Sequence, residues 1–374
     1  MRFNIMRQTL LQVLNDVAHG LSSKTPMPVL TGIKIDAFMD SLTFTTSNRE
    51  ISVQVKLEKT DSFEIEEDGS CVVPGKYFLD IAKKIEEEKI NFVLFEESTI
   101  KITTDKTDFT LVALDKDAFP IISFNKIGEP IIIKGSVLKK AIRQTNFAAG
   151  VSEARMILTG VCFEIKNKDL NIIATDSYRL AKKHITLEKE YNHTKINIPN
   201  KALEELEKIL NDTDDCLEIY LISNKALISY NGISFITRLI EGTFPDTSAL
   251  FPKDELTKLT FKKSELLSTV DRVALFTNMD SSNIVKVVIK ANKSVQIASS
   301  NNEIGRVVEE IIPQNMPNIN NFQTAFSAKY FLEALKSFEG NTIEIKFTGE
   351  IKPFVVTSDK EEGLIQLILP VRIF

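Results

Sequence analysis

The chain has 374 residues, 43% of them hydrophobic and 26% charged, with a formal net charge of −5. This is the composition of a soluble globular protein long enough for two or three domains. The acidic balance excludes a globally basic nucleic-acid binder but leaves room for a local basic surface. MRFNIMRQTLLQVLN at the start holds no continuous apolar run, so no signal peptide is expected. No stretch approaches the roughly eighteen apolar residues of a membrane helix. Cys71, Cys162 and Cys216 are too far apart for a disulfide framework or a zinc site and point to a reducing cytoplasm.

In chain order, a short strand at Arg2–Ile5 leads into helical spacing at Leu10, Val13, Leu14 and Val17. Strands follow at Gly32–Phe38 and Leu42–Thr46, then a second helix after Pro74, where proline suits a helix start. The pattern then recurs. Strand Pro130–Lys134 precedes Leu138, Ala141, Ile142 and Thr145, strands Gly160–Lys166 and Leu170–Thr175 follow, and a helix comes after Pro199. It recurs again with strand Leu259–Lys262, then Leu266, Val270, Val273 and Ala274, and a helix after Ser327. Short motifs repeat with it. Leu30-Thr31-Gly32-Ile33 returns as Leu158-Thr159-Gly160-Val161, 128 residues later, and Phe119-Pro120 as Phe244-Pro245, 125 later. Lys76-Tyr77-Phe78-Leu79 returns as Lys329-Tyr330-Phe331-Leu332. Each repeat is large enough for its own core, and the period is too long for a solenoid. The expected fold is α+β, with three similar domains at 1–126, 127–253 and 254–374, each holding two helices and antiparallel sheets. Linkers fall at Asn125–Pro130 and Phe251–Thr257.

The second helix of each repeat carries a basic face. At about 100° per residue, Phe78, Ile81, Ala82 and Ile85 form one stripe, with Lys76 and Lys83 on the far side. Leu203, Leu206 and Leu210 oppose Lys201 and Lys208, and Phe331, Ala334, Leu335 and Phe338 oppose Lys329 and Lys336. Lys139, Lys140 and Arg143 likewise lie opposite Leu138. A solvated helix face would explain each lysine. Their recurrence at equivalent places equally suits a shared task, and a phosphate backbone bound without sequence preference is the ligand that suits it.

No catalytic constellation appears. His19, His184 and His193 lack metal-ligand spacing, and no Walker-type, dinucleotide or nucleophile-elbow motif occurs. Glu86–Glu88 and Asp212–Asp215 read as solvated helix ends and turns. Two stretches stand out instead. Ile172–Ala181 is an apolar strand ending in the turn Thr175-Asp176-Ser177, which presents Tyr178, Arg179 and Leu180. As an ordinary strand end, Asp176 would hold turn amides and pair with Arg179. The C-terminal LIQLILPVRIF is unusually apolar for a terminus, and Pro370 breaks its strand character, so the residues beyond it are expected to lie against an edge.

With the triple repeat, ATDSYRLA, Phe244-Pro245-Asp246 and the LPVR tail, the whole chain resembles the bacterial DNA polymerase sliding clamps, the β subunits of the replicative polymerase. The resemblance implies the DNA clamp fold and a head-to-tail homodimeric ring around double-stranded DNA, with helices lining the hole. It implies no catalysis and no cofactor. Polymerase, clamp loader and repair proteins would dock through short linear peptides. By matching motifs, the peptide pocket would hold Leu158, Thr175, Ser177, Tyr178, Arg179, Leu180, Pro245 and Leu250. Pro353, Leu367, Leu369, Pro370, Val371 and Arg372 would complete it. Lys24 and Arg155 would add DNA contacts to the lysine stripe. Leu275 and Phe276 would meet the neighbouring subunit, opposite Phe109 and Leu111, in a heterologous interface that must close by rotation. Ser177-Tyr178 stands where the family often has Gly-His, Ala249 where it often has arginine, and Phe374 lengthens the tail. These departures bear on peptide preference. Two other readings remain, a DNA-processing enzyme with a metal-dependent carboxylate site and a monomeric three-repeat scaffold.

Overall fold

The spacing of apolar residues becomes helix in six places among the described residues of the computed structural model. These are α1 (Arg7–Val17), α2 (Gly75–Lys84), α3 (Gly135–Thr145), α4 (Asn200–Ile209), α5 (Lys263–Ala274) and α6 (Ala328–Ser337). The structure describes residues 1–22, 25–38, 40–252, 255–277, 283–301, 303, 305–315, 317, 319 and 321–372. Each helix buries the face its periodicity marks. Leu10, Val13, Leu14 and Val17 of α1 are buried, as are Phe331, Ala334 and Leu335 of α6. Full burial of one such large side chain is worth about 1.5–3 kcal/mol. Ser327 caps α6, its hydroxyl accepting the Tyr330 amide at 3.5 Å.

The first unit comprises Met1–Lys139 and Lys201–Leu239. A five-stranded antiparallel sheet runs Phe63–Glu67, Arg2–Met6, Lys89–Phe95, Thr99–Thr103, Asp108–Val112. An eight-stranded sheet runs Ile131–Lys134, Cys216–Ile222, Lys225–Tyr230, Ile233–Arg238, Ile51–Glu58, Ser41–Ser47, Gly32–Phe38, Gly69–Pro74. Four of those strands belong to the first repeat and four to the second, joined where Ile233–Thr237 pairs with Ile51–Val55. The hairpin turn Asn231-Gly232 has φ of 46° and 79°, a left-handed pair that this dipeptide tolerates and bulkier residues resist.

The second unit comprises Lys140–Asn200 and Ile240–Phe374. Its six-stranded sheet again crosses a repeat junction, with Arg179–Lys183 of the second repeat paired to Leu364–Ile368 of the third. Compactness therefore follows the sheets across the repeats. The strands expected at Gly160–Lys166 and Leu170–Thr175 are one extended run, Gly160–Thr175, whose register shifts on either side of Asn167. Asn167 has φ of 56°, which takes up the slip without ending the strand. A four-stranded sheet runs Gly305–Ile311, Val295–Asn301, Ile284–Ile289, Phe322–Ser327. The third repeat's core is aromatic, with Phe326 and Phe331 ring centroids 4.8 Å apart and Phe347 and Phe354 5.2 Å apart.

The three cysteines are free. Cys71 and Cys162 are buried, and that burial pushes both thiols up to about 12, whereas Cys216 is exposed. No helix among the described residues is long and apolar enough to cross a membrane.

Candidate functional site

The turn after Gly160–Thr175 is held by its own side chains. Asp176 Oδ1 accepts the amides of Tyr178 at 2.9 Å and Arg179 at 3.0 Å, and Thr175 Oγ1 accepts the Ser177 amide at 3.1 Å. Ser177 is left-handed, with φ of 80°. This geometry leaves Tyr178 64% exposed and sends Arg179 inward, where it is 8% exposed. The guanidinium pairs with Asp176 at 3.0 Å and with Glu333 of α6, and donates to the Phe147 carbonyl at 2.5 Å. It lies 4.5 Å from the Tyr330 ring centroid and 5.3 Å from that of Phe147. The Asp176–Arg179 pair of an ordinary strand end is present. Arg179 thus ties the turn to α6, and the exposed side chains of the turn are those of Ser177 and Tyr178.

Around that turn the structure gathers Leu158, Leu180 and Leu367 into one apolar cluster with Cys162, Ile173, Phe244 and Val355, and Leu369 packs against it. The tail follows the turn: Leu369 N donates to Tyr178 O at 3.0 Å. Leu250, 45% exposed, and Pro353 line an open cleft of roughly 480 Å³ with Ala249 and Leu256. Pro245, next to buried Phe244, is exposed. Val371 and Arg372 line a different cleft, with Thr324, Ala325 and Ile351. Past Pro370 the chain reaches the strand Phe322–Ser327, where Val371 N donates to Ala325 O at 2.7 Å. Arg155 donates to Ser177 Oγ at 2.9 Å, which brings an expected DNA contact onto the turn itself.

The lysines divide into two groups. Lys76 and Lys83 on α2, and Lys329 and Lys336 on α6, are exposed and make no ion pair among the described residues. Lys201 and Arg143 are also exposed. Lys208 pairs with Glu205 at 2.7 Å, and Glu205 also takes His19 at 2.7 Å. Burial works against the Glu205 charge, but those two partners outweigh it and hold its pKa below the usual carboxylate value. Lys139 and Lys140 do not stand on an open solvent face. The Lys139 side chain is 12% exposed and meets Asp212 at 3.2 Å. Lys140 meets Glu339 at 2.5 Å and buried Glu361 at 3.5 Å. Burial disfavours the Lys140 charge, yet these carboxylates lift its pKa above the ordinary lysine value. Nor is Asp212–Asp215 merely solvated, because Asp214 takes Lys134 at 3.0 Å and Asp215 takes Asn231 at 3.0 Å. Lys24 and Phe374 lie outside the described residues.

Phe109 and Leu111 lie half-buried on Asp108–Val112, the edge strand of the five-stranded sheet. Leu275, 73% exposed, directly follows α5, and Phe276 after it is half-buried. Beside them Arg272 forks onto Glu309 at 2.7 and 2.6 Å, on the edge strand Gly305–Ile311. Sequence reasoning missed these two edges, since strand order is invisible without the sheet.

Three family models cover the chain: the DNA polymerase III beta subunit N-terminal domain at residues 1–123, its central domain at 132–246 and its C-terminal domain at 248–372. The chain is 36% identical over 378 residues to the beta sliding clamps of Staphylococcus epidermidis and Staphylococcus aureus, covering all of both sequences. Its fold matches the crystal structure of the DNA polymerase sliding clamp from Bacillus subtilis at a TM-score of 0.95 and 36% identity. It matches the DNA polymerase III beta chain from Streptococcus pneumoniae at 0.95 and 32%, again with full coverage of both chains.

Proposed function

The chain belongs to the DNA polymerase III beta subunit family and functions as a DNA sliding clamp, and from that premise we propose how its own surfaces do the work. Two copies join head to tail into a ring around duplex DNA. The observation that carries this is that two of the sheets' outer strands lie at the expected apolar contacts: Asp108–Val112 in the first repeat holds Phe109 and Leu111, and Gly305–Ile311 in the last begins near Phe276. An exposed edge is a template for another strand, and two different edges on one chain make a heterologous contact that closes by rotation. Phe109 and Leu111 would meet Leu275 and Phe276 there. We read the three clamp domains as 1–126, 127–253 and 254–374. No helix or strand lies between Val112 and Ile131, which supports the first boundary.

The clamp is a processivity factor, not a catalyst. The unpaired lysines of α2 and α6 hold duplex through its phosphates, loosely enough to slide. Short peptides from the replicative polymerase and from loading and repair proteins dock on the cluster of Leu158, Leu180 and Leu367. Tyr178, Leu250 and Pro353 form its rim, and the site of action is the cytoplasm. The test is solution mass and electron microscopy of the wild type beside Leu275→Ala/Phe276→Ala. Rings at twice the chain mass are expected for the first and folded monomers for the second. A wild type that stays at single-chain mass as concentration rises would instead support a monomeric scaffold.

A further inference from the structure

The turn at Thr175–Arg179 has a twin 128 residues earlier, Ser47-Asn48-Arg49-Glu50-Ile51. The Arg49 amide donates to Ser47 Oγ at 3.2 Å, as Ser177 does to Thr175. Asn48 Oδ1 accepts the amides of Glu50 at 3.0 Å and Ile51 at 2.8 Å, as Asp176 accepts the next two. The third residue is left-handed in both, with φ of 79° at Arg49 and 80° at Ser177. Neither is glycine, so each turn carries a backbone strain that its side-chain bonds must hold.

The surroundings of the twin differ. Its apolar space is filled by the chain itself, since Ile122 packs against Leu30, Val72 and Phe119 on one side and Leu227 and Ile236 on the other. What remains open is a cleft of roughly 210 Å³ lined by Ser47, Arg49, Ser52, Ile121, Lys225 and Arg238. Arg49, Lys225 and Arg238 are exposed, and none makes an ion pair or side-chain hydrogen bond among the described residues. Lys225 and Arg238 are direct partners across neighbouring strands, a register in which like charges repel. Glu50, the one acidic residue of the lining among the described residues, meets Arg238 only backbone to backbone, its carbonyl accepting the Arg238 amide at 3.1 Å. At the floor, the buried hydroxyls of Ser47 and Ser52 bond each other at 2.9 Å. Ile121 on the wall is fully exposed.

We infer that this cleft is a second docking site, for an acidic linear peptide. Its carboxylates neutralise Arg49, Lys225 and Arg238 and relieve the cross-strand repulsion, while an aliphatic side chain covers Ile121. A bare oxyanion would satisfy the cations but leave that apolar wall in water. The test uses the full-length protein and an acetylated, amidated Glu-Asp-Ile-Asp-Glu probe, read by calorimetry. Saturable one-to-one binding is expected, weakened at least about tenfold by Arg49→Glu/Arg238→Glu, with peptide docking at the Tyr178 cleft unchanged. The milder Lys225→Gln should weaken the probe and also raise Tm at low salt, because it removes one of two opposed like charges. The inference falls if inorganic phosphate or a Lys-Lys-Ile-Lys-Lys probe binds as tightly, or if these variants bind the acidic probe unchanged. Such a failure would leave docking at the Tyr178 cleft untouched.

Discussion

Lys83 on α2 and Lys140 on α3 look alike in sequence, each a lysine opposite an apolar stripe, and they differ in what they can still do. Lys83, like Lys76, Lys329 and Lys336, faces water with no ion pair among the described residues. Lys140 sits between Glu339 and Glu361, and Lys139 against Asp212. A phosphate reaching the first group displaces only counterions and gains the entropy of their release. A phosphate reaching the second must displace a carboxylate, an exchange of one anion for another with little net gain. A basic stripe is therefore not uniform along its length.

The largest expected effect comes from reversing the unpaired group together. Lys76→Glu/Lys83→Glu/Lys329→Glu/Lys336→Glu should flatten the salt dependence of duplex binding by up to about 3–4 in log–log slope for each copy in the ring, at roughly 0.9 for each phosphate no longer neutralised. Fluorescence anisotropy on a short duplex over a salt series measures it, and an unchanged slope would remove these lysines from the DNA surface. Of intermediate size is the gain from freeing the paired group. Asp212→Asn/Glu339→Gln should steepen the slope by about 1 and tighten binding severalfold at low salt. No tightening would mean that Lys139 faces away from DNA, since Glu361 still holds Lys140 in this variant. The smallest effect is expected from Lys139→Gln/Lys140→Gln, a slope change under about 0.5 with a lower Tm, since Asp212 and Glu339 lose their partners. A slope change as large as that of the quadruple variant would erase the distinction.

Much of this arrangement was legible in the sequence for local reasons. Helix faces follow from spacing within a few turns, so Leu10, Val13, Leu14 and Val17 are identifiable from their order alone. Asp176 lies three residues from Arg179, and their pairing needs no tertiary information. What could not be read is long-range. Asp212 is 73 positions from Lys139, and Glu339 is 199 from Lys140. Nor did the sequence show Arg179 turning in onto Tyr330, or Val371 leaving the cluster of Leu367 for the Phe322–Ser327 edge, because both depend on which strands become neighbours. The twin turn at Ser47–Ile51 was within reach, since its spacing of 128 matches that of Leu30 and Leu158. Its side chains share no identity with Thr175–Arg179, and only the hydrogen bonds reveal the kinship.

The cysteines carry a practical consequence. A thiol with a pKa near 12 is ionised in only about one part in 10⁵ at pH 7, and Cys71 and Cys162 are shielded as well. Cys216 stands exposed at the start of Cys216–Ile222. A maleimide dye added at neutral pH should therefore mark every copy once, without any engineered mutation. Under single-molecule illumination a closed ring so labelled would bleach in two steps and a lone copy in one. The number of steps would record whether one copy has parted from the other.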